Sequence, residues 1–396
     1  MSGFFFPLIL ILLVLAALLR EDFVFTLLYL FIGAYALGRW WSRRALHNVT
    51  ILRNLPGHAF IGESVPVRTQ LVNTGWLPVV WTRLQESLPV DLAVPNFFRQ
   101  VVSLAPKESV QLEYWLSARK RGFYPVGPLS LTSGDLLGMA EPYRLELAPE
   151  YLTVYPKIIQ LTRVPLPSHS PMGTLRHNQP IFEDPTRVLG KRDYIAGDSL
   201  RRVDWKASAA AGRLQVKQFE PSIALETAVI LNLNSTEYAQ KGRFFATELA
   251  IVAAASIANW VVSRKQAIGL ITNGVDPSSG DGSFRPLPPR KGRGHLIRLL
   301  EVLARVQMGE TEALESLFRR ETAHLSWGNT LIVITGEAQD SLFDQLFQAR
   351  RRGLEAMLVL CGQISGAQDL RRRAEHFGFG AYHLLNERDL DVWRSP

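Results

Sequence analysis

Two apolar runs open the chain and predict a helical hairpin in a membrane. Residues 4–19 and 23–37 are continuously apolar, and Arg20, Glu21 and Asp22 separate them. Each run is slightly shorter than the roughly 20 residues that span a bilayer. A three-residue polar loop connects only antiparallel helices. The pattern therefore predicts a tight transmembrane hairpin over residues 1–45.

The residues after the second run predict the orientation of that hairpin. Trp40 and Trp41 are typical of an aromatic belt, and three arginines lie beyond the second run, at Arg39, Arg43 and Arg44. The positive-inside rule then places the large C-terminal part in the cytoplasm. Two alternatives remain open, a cleaved signal peptide ending near residues 34–36 and a soluble hairpin. The start of the chain lacks the positive charge of a signal peptide, and neither run has a polar stripe.

Residues 46–160 alternate between apolar and polar positions in short segments. Residues 64–72 and 110–116 have this alternation, and turn residues such as Asn73-Thr74-Gly75 close the segments. Strands at such spacing predict an antiparallel, β-sandwich-like domain. Residues 161–189 are rich in Pro, Ser, His and Asn without apolar periodicity, and they predict a linker.

From residue 223 to 396 the pattern changes to alternating strands and helices. Apolar runs of strand length lie at 228–233, 267–272, 330–335, 356–361 and 381–385, and helical periodicity lies at 242–264, 294–307, 312–323, 341–352 and 367–377. Strands that are apolar throughout are typical of a parallel sheet with helices on both faces. This part therefore predicts a doubly wound α/β domain, in which ligands bind at the carboxyl ends of the strands.

The net charge and the numbers of cysteine and histidine residues limit the classes of function that fit this chain. The chain has 396 residues, a net charge of +8, one cysteine and eight histidines without metal-ligand spacing. Cys361 lies in an apolar run and is expected in the core. The basic balance fits a surface beside anionic lipid better than a nucleic-acid site, because the sequence carries no nucleic-acid-binding motif. No ATPase, protease or transferase constellation is present.

The most specific segment of the chain is 190–222. Its characteristic residues are Arg192, Tyr194, Gly197, Asp198, Arg201, Asp204, Trp205 and Lys206, followed by Ser208, Gly212 and Leu214. This order resembles the signature of a bacterial family, domain-of-unknown-function family 58, although Ala210 stands where the family has an arginine. The resemblance implies a von Willebrand factor type A-like domain after the signature. It also implies a scaffold or assembly factor at the bacterial inner membrane that works with a MoxR-type AAA+ ATPase.

The signature itself allows a structural and a chemical interpretation. Gly197-Asp198 suits a turn in which Asp198 caps the following segment. Arg192, Arg201 and Asp204 are predicted to form a buried ion-pair network under Trp205. The alternative is an envelope-associated enzyme that uses Asp198 and Asp204 as an acid and base, although no nucleophile or metal accompanies them.

The resemblance also implies where a metal ion would bind. In metal-binding von Willebrand A domains, an Asp-x-Ser-x-Ser loop after the first strand gathers Mg²⁺. Here that loop carries Asn232, Asn234 and Thr236, and no Asp stands before Gly336 in the later loop. Because Mg²⁺ prefers carboxylate oxygens, we expect a degenerate site and no cofactor. A metal-dependent adhesion module stays open as an alternative. The basic segment 285–294 and the glycine pair at 378 and 380 are interpreted as loops.

Overall fold

Two helices begin the chain. A computed structural model describes residues 5–19, 22–135, 142–165, 183–221, 226–280, 282, 284–323, 325 and 328–393. Helix α1 spans Phe5–Leu19, helix α2 spans Asp22–His47, and the two contact each other. Among the described residues, α2 is long and apolar enough to cross a membrane, whereas α1 has 15 residues. An N-terminal apolar helix is therefore present, and insertion as a hairpin stays a prediction.

The last turns of α2 belong to the β-domain that follows. Trp41 donates a hydrogen bond from its indole nitrogen to the carbonyl oxygen of Pro78, 3.1 Å away. Ala45 and Leu46 are fully buried in the same core as Val49 and Leu71. Trp41 and Ala45 lie one turn apart on one helix face. Trp41 is thus half-buried against the β-domain, whereas Trp40 is exposed, and an aromatic belt at these residues stays a prediction.

Ten strands form the domain after α2. They are β1 (Val49–Asn54), β2 (His58–Phe60), β3 (Ser64–Asn73), β4 (Val79–Ser87), β5 (Phe97–Leu104), β6 (Ser109–Ser117), β7 (Gly122–Val126), β8 (Leu129–Ser133), β9 (Tyr143–Leu147) and β10 (Glu150–Tyr155). They make three sheets, in the orders β1-β3-β6, β2-β10-β7 and β5-β4-β8-β9. Every pair is antiparallel except β2 with β10, so the expectation of a wholly antiparallel domain is wrong at that edge.

The sheet β1-β3-β6 contributes to two separate cores. Leu71 and Leu112 pack with Leu84 and Leu131 of the four-stranded sheet. Val67 and Leu116 pack with residues of the third sheet, including Val126 and Leu152. Val67 and Leu71 lie on the same face of β3, and Leu112 and Leu116 lie on the same face of β6, because each pair is an even number of residues apart. The two cores therefore divide one buried face of this sheet along the length of its strands.

The predicted linker is only partly a linker. Thr162 donates its backbone N–H to the carbonyl oxygen of Trp393, at 2.9 Å, so this stretch is attached to the C-terminal part. Residues 166–182, the centre of the predicted linker, lie outside the described residues. Strand β11 spans Glu183–Asp193, so the prediction is wrong for 183–189. It pairs antiparallel with β12 (Gln215–Pro221), and helix α3 (Trp205–Ala211) lies between them in the chain.

The C-terminal part is an α/β domain built on one mixed sheet of six strands, and the first of these strands along the chain lies in the middle of the sheet. Its strands are β13 (Glu226–Leu231), β14 (Ala267–Thr272), β15 (Leu287–Arg290), β16 (Thr330–Thr335), β17 (Glu355–Cys361) and β18 (Gly380–Leu384). Its helices are α4 (Arg243–Ser263), α5 (Arg293–Arg305), α6 (Leu314–Thr322), α7 (Asp340–Arg351) and α8 (Ala367–His376), and a 3-10 turn covers Glu387–Trp393. The sheet order is β15-β14-β13-β16-β17-β18. The predicted strands and helices are all present, with ends moved by at most two residues.

The prediction that segment 285–294 is a loop is wrong in its middle. Leu287–Arg290, interpreted as part of a loop, is the edge strand β15, and it runs antiparallel to β14. Pro288 and Pro289 occupy the middle of this strand. Proline is tolerated at an edge because it has no N–H to offer a further strand, and it blocks edge-to-edge association.

Both faces of the sheet are covered. On one face, helices α6, α7 and α8 bury Phe318, Phe343 and Ala374 against Ile230, Val333 and other alternate strand residues. On the other face, α4 contacts β13, β14, β16 and β17. Helix α4 is also long and apolar enough to span a bilayer, but most of it is buried on this sheet. It is therefore a core helix of the α/β domain.

Candidate functional site

Most of the signature residues lie in the segment that connects the paired strands β11 and β12, residues 194–214, which we call the excursion. Asp193 pairs with Gln215 at the end of the ladder, and Tyr194 donates its N–H to the carbonyl oxygen of Leu214 at 2.9 Å. Further along, Val203 forms an isolated bridge with Val216, and both side chains are buried. Backbone contacts thus tie the excursion together at its base, between Tyr194 and Leu214, and tie its middle to β12, between Val203 and Val216.

The first half of the excursion is a turn held by a charged pair. Arg192 donates two hydrogen bonds to the carboxylate of Asp198, both at 2.7 Å. Asp198 also accepts the N–H of Ile195 at 3.0 Å, and Gly197 has φ of 110°, a conformation that favours glycine. The hydrogen bonds from Arg192 hold the pKa of Asp198 below its ordinary value. Asp198 therefore closes the turn behind it.

The second half is a short helix with a conventional cap at each end. Asp204 is the N-cap of α3, and its side chain accepts the N–H of Ala207 at 3.1 Å. Lys191 lies 2.9 Å from its second oxygen, and this contact lowers the pKa of Asp204. Gly212 ends the helix in the left-handed conformation, with φ of 66°.

The predicted ion-pair network is wrong in two respects. Asp198 pairs with Arg192 and Asp204 with Lys191, so the charges form two separate, partly exposed pairs. Trp205, expected to cover the network, is 67% exposed. The capping residue is Asp204 and not Asp198. The hydrogen bonds from Arg192 and Lys191 lower the pKa of Asp198 and Asp204, which is the opposite of the shift that a general acid needs at neutral pH.

The outer surface of the excursion is apolar and basic. Four large apolar side chains are exposed, namely Ile195 at 64%, Leu200 at 62%, Trp205 at 67% and Leu214 at 40%. Between residues 190 and 217 the sequence has seven basic and three acidic residues. Each of the three acids pairs with a basic residue, Asp193 with Arg213, Asp198 with Arg192 and Asp204 with Lys191. Positive charge therefore remains in excess around the apolar side chains.

A second candidate site lies at the carboxyl ends of the central strands. The connections from β13 and β16 leave toward opposite sides of the sheet order, which makes this edge a topological switch point. The loop after β13 carries Asn232 and Asn234, Asn273 follows β14, and Thr335 ends β16. All four side chains are buried.

A closed hydrogen-bond network joins these residues. The amide nitrogen of Asn232 donates to Glu237 at 2.7 Å and to Thr335 at 2.9 Å. The Asn232 amide oxygen accepts from the side chain of Asn273 at 2.8 Å and from the N–H of Asn234 at 3.0 Å. Because that backbone N–H can only donate, it fixes which way the Asn232 amide faces. Every polar atom of the Asn232 side chain is thus in use.

The loop residues Asn234 and Thr236 are bonded to each other. Asn234 accepts hydrogen bonds from the N–H and the hydroxyl of Thr236, at 3.2 and 3.0 Å. Glu237 accepts the N–H of Leu314 at 3.1 Å as well as the Asn232 amide, and burial raises its pKa above the ordinary 4.5. Tyr238 donates its hydroxyl to the Asn232 carbonyl oxygen at 2.7 Å.

These residues do not match the requirements of Mg²⁺. The ion takes oxygen ligands, carboxylates foremost, whereas Asn232 directs amide hydrogens at the position where a metal-binding loop has a carboxylate. The one carboxylate in the network, Glu237, is already held by two N–H groups. Within the described ranges, no group of three or more His, Cys, Asp or Glu side chains could hold a metal ion.

Sequence reasoning identified the loop but missed three of its partners. Asn273, Glu237 and Tyr238 complete the network around Asn232. The position of Asn273 could have been predicted, because this residue directly follows a predicted strand and the carboxyl ends of parallel strands meet at one edge of the sheet. Tyr238 and Glu237 carried none, because their direction depends on the turn Ser235–Glu237 that only the structure defines.

The fold defines a class. A sheet with a central first strand, strand order reversing beside it and helices on both faces is a doubly wound α/β domain. Residues 190–326, which begin at the signature excursion and run into this domain, match the family model described as "Protein of unknown function DUF58". This match contains the signature residues on which the predicted resemblance to that family rests.

Three further comparisons were found. The uncharacterized protein YeaD of Bacillus subtilis (strain 168) is 23% identical over 288 residues, which are 71% of this chain and 67% of YeaD. An aerotolerance-related membrane protein from Bacteroides fragilis matches 43% of this chain and 95% of its own, with 12% identity and a TM-score of 0.31. A von Willebrand factor type A protein from Catenulispora acidiphila matches 46% of this chain and 42% of its own, with 12% identity and a TM-score of 0.32.

Proposed function

We propose that this protein is a membrane-anchored protein-interaction module whose docking surface is the signature excursion. The observation that carries the proposal is the exposure of Ile195, Leu200, Trp205 and Leu214 on a segment whose own structure is complete without them. The excursion is held by Val203, Val216, caps and ion pairs, so these four side chains contribute little to its folding. Contiguous exposed apolar side chains with a polar rim are typical of interaction sites.

The charge of the surface indicates the chemistry of the partner. Each acid of the excursion is paired, and the excess of basic residues would favour an acidic surface that also offers apolar pockets. Tryptophan and arginine are the residues that most often dominate binding energy at interfaces. Among protein partners, the family resemblance favours a MoxR-type AAA+ ATPase, and we adopt that partner as part of the proposal.

The N-terminal helices would serve as the anchor. Helix α2 has the length and composition of a membrane span and only a small buried fraction, unlike α4. Arginines follow the apolar part of α2, which favours a cytoplasmic position for the remainder of the chain at the inner membrane. The hairpin of α1 and α2 is the arrangement we propose in the bilayer.

The two rival functions have less support. An enzyme using Asp198 and Asp204 would need one of them protonated, and both pKa values are lowered. A metal-dependent adhesion module would need carboxylates that the loop of Asn232 and Asn234 lacks. We therefore propose that the α/β domain works without a bound cofactor and presents the signature surface.

The test compares two tryptophans of equal exposure. Trp205 and Trp76 are both 67% exposed, and Trp76 lies in the β-domain. Replacing Trp205 by Ala should weaken partner binding by roughly 30-fold, the value expected for an interface hot spot, while Trp76→Ala leaves binding unchanged. Both variants should keep the unfolding temperature of the wild type.

Cross-linking in native membranes followed by quantitative mass spectrometry measures the loss. If no protein is depleted with Trp205→Ala relative to Trp76→Ala, the docking surface is wrong. If a protein is depleted but is not a MoxR-type ATPase, and the purified ATPase does not bind the full chain, only the choice of partner is wrong.

A further inference from the structure

One face of α2 carries a groove lined by basic and aromatic side chains. Arg39, Arg43 and His47 follow one another at four-residue spacing, and Trp40 and Arg44 form the neighbouring column. Together with Tyr35 they line a shallow groove along the helix. Trp40, Arg43, Arg44 and His47 are exposed. The groove therefore combines three guanidinium groups, an imidazole and two aromatic rings.

The opposite face of the same turns is buried. Ser42, Ala45 and Leu46 are covered by the β-domain, and Trp41 is anchored on Pro78. This packing fixes the rotation of the helix about its axis, so the basic side chains all face away from the β-domain. The groove is therefore a preformed feature of the β-domain surface and does not depend on a flexible linker.

The charges in the groove repel one another. Arginines at positions i and i+4 of a helix destabilise it slightly, and Arg39 and Arg43 have this spacing. Helix α2 has no acidic residue after Asp22 that could offset them. Arg39 donates to the hydroxyl of Tyr35 at 3.3 Å, which turns its guanidinium along the groove. A bound anion would relieve this repulsion and accept several charge-assisted hydrogen bonds.

The position along the chain indicates the source of that anion. The basic residues of the groove begin directly after the apolar run 23–37, and from Arg39 to His47 they extend about 12 Å along the helix axis, at 1.5 Å per residue. Where α2 spans the bilayer as proposed above, the first turn of this stretch lies in the headgroup layer, which is several ångströms thick on each side. Guanidinium groups at that level lie beside lipid phosphates, and Trp40 is suited to the interface.

We propose that this groove binds the headgroup of an anionic phospholipid. Arg39, Arg43 and Arg44 hold the phosphate, and Trp40 lies against the glycerol region. The site rests on the proposed membrane anchoring but is independent of the signature surface. Binding there would fix the height and tilt of the β-domain at the membrane surface, because the same helix turns are embedded in that domain.

The experiment uses the full chain in phosphatidylcholine nanodiscs with and without phosphatidylglycerol. After extraction into a neutral detergent, native mass spectrometry counts the lipid molecules that stay bound. We expect phosphatidylglycerol to be retained in strong preference to phosphatidylcholine. The double variant Arg39→Gln/Arg43→Gln should lower that preference by roughly 30-fold, since each arginine near an anionic surface contributes about fivefold.

The matched control is Arg371→Gln/Arg372→Gln on the exposed side of α8, which removes the same charge and should retain the lipid. Millimolar inorganic phosphate should not displace it. Equal retention of both lipids by the wild type, or equal loss in both double variants, overturns the groove as a lipid site. Displacement by inorganic phosphate overturns the lipid as its ligand. Failure of the chain to enter nanodiscs of phosphatidylcholine alone would overturn the anchor itself, and the groove with it.

Discussion

Asn232 shows how a single side chain changes the chemistry of a strand-end site. The amide of Asn232, in the loop after β13, donates both hydrogens to oxygen atoms. The carboxylate of Glu237 is 2.7 Å from that nitrogen. The network is satisfied by neutral groups and the half-buried carboxylate of Glu237, and a cation would have to displace these contacts.

A carboxylate at position 232 should therefore destabilise the protein. Asn232→Asp would place a buried carboxylate against the half-buried Glu237 and remove both donors, for a loss of about 3 kcal/mol or more. Asn234→Asp is the control, because the Asn234 side chain uses its oxygen as an acceptor from Thr236 and an aspartate keeps that role. Thermal unfolding of the full chain in detergent measures both.

If 10 mM Mg²⁺ raised the unfolding temperature of wild type and Asn232→Asp alike, the interpretation of this site as unsuited to metal would be wrong. A rise confined to Asn232→Asp would instead show that one amide excludes the ion. Unchanged stability of Asn232→Asp without metal would contradict the network described above.

At the scale of elements, the β-domain is joined by one buried ion pair. Arg53 of β1 lies 2.6 Å from Glu86 of β4, and both side chains are at most 2% exposed. Tyr114 of β6 donates its hydroxyl to the same carboxylate at 2.7 Å. Arg53 also donates to the carbonyl oxygen of Val126 at 3.3 Å, at the end of β7. The pair thus connects strands from all three sheets.

Removing one partner should be costly and dependent on pH. Arg53→Met leaves the Glu86 carboxylate buried without its cation, which costs about 3–5 kcal/mol. Burial already raises the pKa of Glu86 above 4.5, and loss of Arg53 raises it further. The folded state then holds a proton that the unfolded state has lost, so the stability of the variant falls as the pH rises above 4.5.

Denaturant unfolding of wild type and Arg53→Met at pH 5 and pH 8 tests this prediction. The difference between the two proteins should be larger at pH 8, because protonation at pH 5 partly neutralises the isolated carboxylate. The double variant Arg53→Met/Glu86→Leu should recover part of the stability at both pH values. A pH-independent loss in Arg53→Met would show that packing, and not the unpaired charge, causes the effect.

At the scale of the whole molecule, helix α2 and the β-domain are not separable at residue 45. Ala45 and Leu46 are buried in the core with Val49, and Trp41 binds Pro78. The apolar run 23–37, by contrast, is mostly exposed. The boundary between the part of α2 that is free of the β-domain and the part that is packed in it falls near Gly38.

Two soluble fragments should therefore differ sharply. A fragment of residues 38–396 keeps the packed turns of α2, whereas a fragment of 48–396 loses Trp41, Ala45 and Leu46 from the β-domain. We expect the shorter fragment to be less stable by at least about 3 kcal/mol, since deleting a buried leucine alone costs 2–5 kcal/mol. Urea unfolding followed by tryptophan fluorescence measures the difference. Equal midpoints in the β-domain transition would contradict the packing of α2 in that domain.

The sequence by itself determined the elements whose signal is local. The apolar strands and periodic helices of residues 223–396 follow from the spacing of their hydrophobic residues. This spacing can be recognised within a short window of sequence. The signature residues from Arg192 to Lys206 carried the resemblance to the DUF58 family in the same way. The edge strand Leu287–Arg290 did not follow from its own residues, because two prolines are tolerated in a strand at a sheet edge, which is a property of the sheet and not of the segment.

Tertiary structure decided which charges meet and which side chains stay in water. Arg192 pairs with Asp198, and Lys191 pairs with Asp204, while Trp205 stays exposed. The pairing of β11 with β12 determines which parts of the connecting segment come close to each other. Likewise, Trp40 and Trp41 are adjacent in sequence but lie on different faces of α2, one in the groove and one on the β-domain. Pairing and exposure are long-range properties, since they depend on what the rest of the chain brings to each face.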